Sequence, residues 1–322
     1  MSCTCHRRSI VSLSIGIVGT GKAARRHMKA LSRADGARIV ACVDEDLDAA
    51  AEAAVKFPGA GAYEVLDAML EEHDVDAVYL SDRPGEGGEA ELALIERGIP
   101  FFIEKPLGVD REKPARVMDA LRGTDLVTGV GYVLRYGDTV ERARAHLSEN
   151  SPVLARGTCL GGAPEPANTN ANSSGVLPGR TSHLLDLVRY LLGEVSRVYC
   201  AGQGANAAGE VSACTLTFES GLVCQISSSR SAPRDEVTFE VVTADSTLQL
   251  CGANSTCRIS SAHRMEEVSG TADLFLAQTT AFLNAVEGDA SGLKSTYQDA
   301  YRTHLVCCAA HESMESGQPV EL

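Results

Sequence analysis

A glycine turn between an apolar run and a helical stretch constrains the fold of this chain more than any other feature. Residues 12–18 are apolar and β-branched, and they lead directly into Gly19 and Gly21. Residues 24–32 then have the spacing of a helix with alanine, methionine and leucine on its buried face. A strand, a glycine turn and a helix in this order can receive a pyrophosphate at the helix N-terminus. The alternative is a plain βαβ turn that binds no ligand.

A second apolar run ends in the acid that a dinucleotide site requires. Asp44 follows residues 37–43. It lies about 20 residues after the glycines, where a carboxylate can accept hydrogen bonds from ribose hydroxyls. Because a carboxylate repels a 2′-phosphate, the motif predicts NAD as the cofactor, with NADP less favoured. The predicted cofactor-binding residues of these motifs are Gly16, Gly19, Thr20, Gly21, Lys22, Ala23, Ala24 and Asp44.

The order of the predicted elements divides the chain into two halves. Strands and helices alternate at first, which predicts a doubly wound parallel sheet. The further elements of this half are helices 47–56, 65–72, 89–97 and 111–121, and strands Ala77–Leu80, Phe101–Ile103 and 126–132. Strand-like runs then follow at 153–159, 195–201, 212–218, 222–228, 237–242, 247–250 and 257–260, with helices at 181–192, 272–286 and 296–313. Such a succession of strands predicts a mostly antiparallel sheet.

We therefore predict an α/β protein with an N-terminal Rossmann domain and a C-terminal α+β domain built on a mostly antiparallel open sheet. The predicted boundaries are a flexible tail at residues 1–10, a dinucleotide-binding domain at 11–133 and a substrate and oligomerisation domain at 134–322. The C-terminal helix could pack back on the first domain.

Composition limits the partners of this chain. Its 322 residues carry a net charge of −14, which argues against nucleic acid and anionic membrane because their phosphates would be repelled. No apolar run approaches the roughly 18 residues that span a bilayer. The eleven cysteines are scattered without a Cys-x-x-Cys pair, as is typical of a reducing cytoplasm, where most act as small core residues. We expect a cytoplasmic protein with a small-molecule substrate and no metal site.

A charge pair stands at the end of a short apolar strand. Residues 99–103 pass into Glu104 and Lys105, and Pro106 bars further strand pairing. The carboxyl edge of a parallel sheet is where ligands bind. Glu104 and Lys105, with Ser81 and Arg83 after the preceding strand, are therefore also predicted to contact the cofactor.

Three motifs together resemble the glucose-fructose oxidoreductase/inositol dehydrogenase/MocA (Gfo/Idh/MocA) family, from about Leu13 to the C-terminus. They are Gly-Ile-Val-Gly-Thr-Gly-Lys-Ala-Ala at 16–24, Glu-Lys-Pro at 104–106, and His-Leu-Leu-Asp at 183–186 in a helix that ends Tyr-Leu-Leu-Gly at 193. The resemblance implies NAD(P)-dependent hydride transfer at a secondary alcohol or ketone of a sugar, a cyclitol or a related hydroxy compound. By analogy it also implies a homo-oligomer, a dimer or tetramer, associated through the sheet of the second domain.

The resemblance also implies catalytic roles for Lys105 and His183 at the reacting hydroxyl. Hydride abstraction requires a base for the alcohol proton, and histidine has a suitable pKa, while Lys105 could stabilise a developing alkoxide. Asp186 shares a helix face with His183 and completes the predicted catalytic set. The alternatives are that Lys105 only neutralises Glu104, that His183 packs under the preceding loop, and that Asp186 binds Arg189 at the surface.

The chain departs from the family pattern at several positions. Gly179 stands where many members carry an acid four residues before the histidine, and the long loop before it lacks aromatic residues. Arg83 stands in a Ser-Asp-Arg-Pro segment in place of Thr-Pro. It could clamp a substrate carboxylate or phosphate, or pair with Asp82 or Glu86 in a solvated turn. Two competing hypotheses follow: a dinucleotide-binding member without turnover that acts as a sensor or partner subunit, and non-redox chemistry that uses NAD transiently.

Overall fold

The computed structural model describes residues 12–81, 88–161, 179–203, 211–229, 232–252 and 254–322. The predictions for the tail at 1–10, for Arg83 and for most of the loop before Gly179 lie outside these residues. Two compact units are present. The first contains the described residues within Met1–Glu104, Ala120–Gly131 and Phe275–Thr296, and the second those within Lys105–Asp119, Tyr132–Leu274 and Tyr297–Leu322. Both units are thus built from segments distant in sequence, and the predicted domain boundary at 133/134 stays a prediction.

The described elements, in chain order, are as follows: β1 Leu13–Val18, α1 Lys22–Leu31, β2 Ala37–Val43, α2 Leu47–Ala54, β3 Gly61–Tyr63, α3 Leu66–Glu72, β4 Ala77–Leu80, α4 Glu89–Glu96, β5 Phe101–Ile103, α5 Glu112–Leu121, β6 Thr128–Val130, α6 Asp138–Glu149, β7 Pro152–Leu160, α7 Gly179–Leu192, β8 Val195–Gln203, β9 Val211–Phe218, β10 Val223–Ser229, β11 Glu236–Thr243, β12 Ser246–Cys251, β13 Thr256–Ser261, β14 Met265–Ser269, α8 Leu274–Val286, α9 Tyr297–Ser316 and β15 Val320–Glu321. Short 3₁₀ turns occupy Val133–Tyr136 and Ala290–Gly292.

The first unit is a parallel sheet of six strands in the order β3-β2-β1-β4-β5-β6. Its central strands are buried on both faces, with Ile15, Ile17 and Phe102 almost inaccessible, which is why they read as continuous apolar runs. The strand order reverses between β1 and β4, so a crevice for ligands is expected at the carboxyl ends of these strands. The predicted doubly wound fold is confirmed.

The second unit contains a sheet of nine strands in the order β14-β13-β12-β11-β7-β10-β9-β8-β15. Every neighbouring pair is antiparallel except β7 with β10. Burial alternates along β9 and β10 because one face packs under helices, among them α7 against β7 and α9 against β8. The seven strands predicted for this half are all present, and the mostly antiparallel sheet is confirmed.

Several elements were not predicted, or were predicted with the wrong bounds, for local reasons. The strand expected at 126–132 is only Thr128–Val130, since the chain turns into a 3₁₀ helix at Val133. Helix α6 buries few apolar residues beneath a highly charged surface, and β3 and β15 are too short for a pattern. Cys200 and Cys214 face each other on β8 and β9 as a disulfide. Among the described helices, none is long and apolar enough to cross a membrane.

Candidate active site

The turn after β1 is shaped to receive a phosphate group. Gly19 has a φ of 78°, a conformation that strongly favours glycine. Helix α1 begins at Lys22, and Gly21 gives it no side-chain cap, so its first-turn N–H groups remain suited to an anion. A Cβ at Gly21 would meet no atom of the described residues within 4 Å, which leaves space at this end of the helix. Ala24 is fully buried, as close helix–strand packing requires.

The other fingerprint residues have distinct positions. Lys22 and Gly21 are exposed, and Ala23 is half-buried. Gly16 serves packing within the unit, because a Cβ there would lie 2.8 Å from the Met69 sulfur. Only part of the fingerprint therefore faces the open space at the helix N-terminus.

Asp44 is coupled to the glycine turn by hydrogen bonds. Its Oδ2 accepts from the Thr20 amide at 2.8 Å and from the Thr20 hydroxyl at 2.7 Å, and its Oδ1 accepts from the Asp46 amide at 3.2 Å. Thr20 is itself almost inaccessible. The turn thus holds the Asp44 carboxylate in place at the carboxyl end of β2, where it can accept hydrogen bonds from the ribose hydroxyls of a dinucleotide.

Replacing Asp44 with alanine is expected to reduce the preference for NAD over NADP at least about tenfold, because charge-assisted hydrogen bonds to the ribose and repulsion of a 2′-phosphate both disappear. Calorimetric dissociation constants for the two cofactors test this. The matched control is Glu45→Ala, which removes the same charge from the exposed neighbouring residue and should change the ratio less than about twofold. An unchanged ratio in the Asp44 variant would contradict the assignment.

The ends of β4 and β5 carry polar groups of the same unit. The Ser81 hydroxyl is buried and has no hydrogen-bond partner among the described residues, as expected of a group that awaits a ligand. Glu104 accepts a hydrogen bond at 2.7 Å from His27, a histidine of helix α1. The predicted cofactor residues Ser81, Glu104 and Asp44 therefore lie along the carboxyl edge of one sheet, and together with the open helix N-terminus they fit a dinucleotide.

His183 and Lys105 form a second cluster, within the second unit. Burial of the His183 ring lowers its pKa well below 6.5, and the positive charge of Lys105 lowers it further. Its Nδ1 is buried and has no hydrogen-bond partner in the described chain, and its ring meets that of Tyr132 edge-on, with centroids 6.0 Å apart. The structure thus brings together a neutral imidazole, which can act as the base that proton transfer from an alcohol requires, and a lysine.

Asp186 has a different environment from the one expected. It is 1% exposed, and both of its oxygens accept hydrogen bonds from Arg135, at 2.6 and 2.8 Å. Thr303 donates a further bond at 2.8 Å. Burial raises the pKa of Asp186, although the Arg135 charge opposes that shift. The surface pairing with Arg189 is wrong, since Arg189 is buried and its guanidinium binds Glu194 and Asp299.

Removing Arg135 should destabilise the protein strongly. The change Arg135→Met leaves the buried Asp186 carboxylate without its cation, which is expected to cost about 3–5 kcal/mol in the free energy of unfolding. Denaturant unfolding measures it, and Arg135→Met/Asp186→Leu should recover part of the loss. Arg197→Ala breaks an exposed ion pair with Glu321 and should cost less than about 1 kcal/mol. Equal losses in the two single variants would contradict the expectation.

Three residues of these sites were not predicted from the sequence. His27 and Arg135 acquire their partners only across 77 and 51 residues of chain, and Tyr132 reads as an ordinary strand residue. For His27, the only local signal was its position in the second turn of the fingerprint helix, on the apolar face.

The fold and the site define a dinucleotide-binding protein with a second unit that carries acid–base residues. The NAD-binding Rossmann model of the GFO/IDH/MocA oxidoreductase family matches residues 13–132, and the model of the GFO/IDH/MocA C-terminal domain matches residues 140–249. The chain belongs to this family. It is an oxidoreductase with an NAD-binding Rossmann domain.

Individual relatives agree with this assignment. The chain is 28% identical to inositol 2-dehydrogenase 3 of Saccharopolyspora erythraea, covering 96% of this chain and 95% of that protein. It is 26% identical to myo-inositol 2-dehydrogenase of Thermotoga maritima over 68% and 69% of the two chains. An NAD-binding oxidoreductase of Klebsiella pneumoniae shares the fold, with a TM-score of 0.87 at 20% identity, covering 96% of this chain and 99% of that one.

Proposed function

We propose that this protein oxidises a secondary hydroxyl of a cyclitol or a closely related sugar and passes the hydride to NAD. The observation that carries the proposal is the buried Nδ1 of His183, which has no hydrogen-bond partner among the described residues, together with the lowering of the His183 pKa by burial and by the charge of Lys105. A neutral imidazole can accept the hydroxyl proton at neutral pH, and an ammonium can stabilise the alkoxide that develops as the proton leaves. The relatives named inositol 2-dehydrogenase support the choice of a cyclitol.

The residues have separate roles in this proposal. Bound NAD supplies the hydride acceptor. Asp44 and the Gly19–Gly21 turn hold the adenosine and pyrophosphate, Ser81 and Glu104 line the edge beyond them, and His183 exchanges the proton. Asp186 acts as a positioning residue, because its oxygens are committed to Arg135 and Thr303.

The experiment is a screen of the purified protein with NAD against inositol isomers, acyclic polyols, sugars and hydroxy acids, followed by the absorbance of reduced nicotinamide. Turnover of at least one inositol isomer, reduced about 10³-fold in Lys105→Met, supports the proposal. Preferred turnover of a hydroxy acid would overturn the substrate class. NAD binding without any turnover would favour the sensor alternative, which the lack of a partner for His183 Nδ1 among the described residues also motivates.

We also propose a cytoplasmic homo-oligomer. The face of the nine-stranded sheet turned away from the helices exposes Leu154, Tyr199 and Val223, and apolar groups grouped on one face are typical of association surfaces. Most of the described free cysteines are buried thiols, and in the proposed cytoplasm the pair Cys200 and Cys214, which forms a disulfide in the structure, would be expected to be reduced. Sedimentation equilibrium gives the mass in solution, and a monomer at micromolar concentration would contradict the proposed association.

A further inference from the structure

A histidine of the fingerprint helix is enclosed in the core of the first unit and bound to the end of β5. His27 lies in the second turn of α1 and is 1% exposed. Its Nε2 is 2.7 Å from Oε1 of Glu104. Three aromatic rings, those of Tyr79, Phe102 and Phe275, surround the imidazole with centroids 5.0 to 5.5 Å away.

The direction of this hydrogen bond follows from its surroundings. A carboxylate oxygen accepts hydrogen bonds, so Nε2 of His27 is the donor to Glu104. The other ring nitrogen, Nδ1, is buried and has no hydrogen-bond partner in the described chain. Among the described residues, the Glu104 carboxylate at the edge of the sheet is therefore the one hydrogen-bond partner of the imidazole.

Glu104 is fixed on its other sides as well. Its amide donates to the Leu80 carbonyl at 2.9 Å, which continues the pairing of β5 with β4. A Cβ placed on Gly131 would lie 2.8 Å from Oε2 of Glu104, so the carboxylate packs directly against the backbone that follows β6. With its side chain 15% exposed, Glu104 still reaches the carboxyl edge of the sheet.

The His27–Glu104 pair lies at the sheet edge where a dinucleotide is expected to bind. A dinucleotide crosses the edge at the point where the strand order reverses, with its pyrophosphate at the helix N-terminus. Asp44 marks the adenosine side, beyond β2. The nicotinamide half therefore extends toward β4 and β5, where Glu104 lies. One hydrogen bond thus connects the helix that receives the pyrophosphate with the strand end that meets the nicotinamide half.

We propose that His27 is a positioning residue for NAD. Its hydrogen bond fixes the position of the Glu104 carboxylate, against which the nicotinamide riboside half of NAD would lie. His27 itself does not touch the cofactor. If the pair served only the stability of the core, its loss would weaken the binding of every nucleotide ligand by the same factor. ADP-ribose, which lacks nicotinamide, separates these two cases.

The test uses His27→Phe, which keeps a ring among the three aromatic neighbours and removes the donor. Calorimetry should show NAD binding weakened about tenfold, the size expected when one charge-assisted hydrogen bond is lost. ADP-ribose binding should stay within about twofold of wild type. His27→Gln, whose amide nitrogen can replace Nε2 as a donor, should restore NAD affinity. These measurements need no substrate, so their outcome is independent of the proposed cyclitol oxidation.

The proposal is overturned if NAD and ADP-ribose weaken by the same factor, or if neither weakens. Thermal unfolding of each variant accompanies the binding data. If His27→Phe does not fold, Glu104→Ala replaces it in the same comparison and should selectively weaken NAD. Failure of both variants to fold would assign the pair to core stability and would also overturn the proposal.

Discussion

Replacing Lys105 with methionine is expected to reduce kcat for alcohol oxidation about 10³-fold, in the range of losses when an acid–base group or an oxyanion-stabilising charge is removed. Lys105 follows the last residue of β5 by two positions, and its charge lowers the pKa of His183, whose Nδ1 is buried. Methionine keeps most of the side-chain volume and removes the ammonium. The alkoxide that forms during oxidation would then lose its nearest proposed cation.

The binding data distinguish this loss from misfolding. NAD affinity should stay within about threefold of wild type, because Lys105 is one of several predicted cofactor contacts and the Gly19–Gly21 turn and Asp44 are unchanged. Lys56→Met, a change at a lysine that is 54% exposed on the surface, is the matched control and should leave kcat unchanged. If the Lys105 variant kept more than about a tenth of the wild-type kcat, the proposed role would be wrong.

Replacing His183 with phenylalanine is expected to reduce kcat/KM about 10²- to 10³-fold. Phenylalanine keeps the edge-on contact with Tyr132 and removes both ring nitrogens. It also removes the ionisation that limits activity in acid. The pKa of His183 is lowered below 6.5 by burial and by Lys105, so the imidazole is the neutral base at pH 7. Wild-type kcat/KM should therefore stay level as the pH falls to 6.5 and decline only below it, whereas the residual activity of the variant should lack that decline.

Nuclear magnetic resonance of the histidine ring checks the cause of the shift without relying on turnover. In the Lys105→Met protein the repulsive charge is gone, so His183 should titrate at a higher pH than in wild type, while burial still keeps its pKa below 6.5. Identical titration curves in the two proteins would show that Lys105 does not act on His183. The same linkage predicts that the stability contributed by neutral His183 is present above pH 6.5 and is lost as the pH falls below that value.

Position along the chain explains which contacts could be predicted. The i to i+3 spacing correctly placed His183 and Asp186 on one helix, but it could not reveal that Asp186 binds Arg135, 51 residues earlier. Likewise, the apolar pattern of α1 gave no indication that His27 binds Glu104, 77 residues later. Both pairs depend on which helix packs against which strand, and periodicity carries no information about that choice.

The sequence by itself determined the Rossmann unit, its nucleotide turn and the acid after β2, because these depend on glycine conformation and apolar runs within about 30 residues of chain. It also determined seven of the nine strands of the second sheet through their strand-like apolar runs. Tertiary structure decided the parallel pairing of β7 with β10, the disulfide between Cys200 and Cys214, and the environments of His27, His183 and Asp186. The physical reason is that pKa values and hydrogen-bond partners are set by groups distant in sequence that meet only in the folded core.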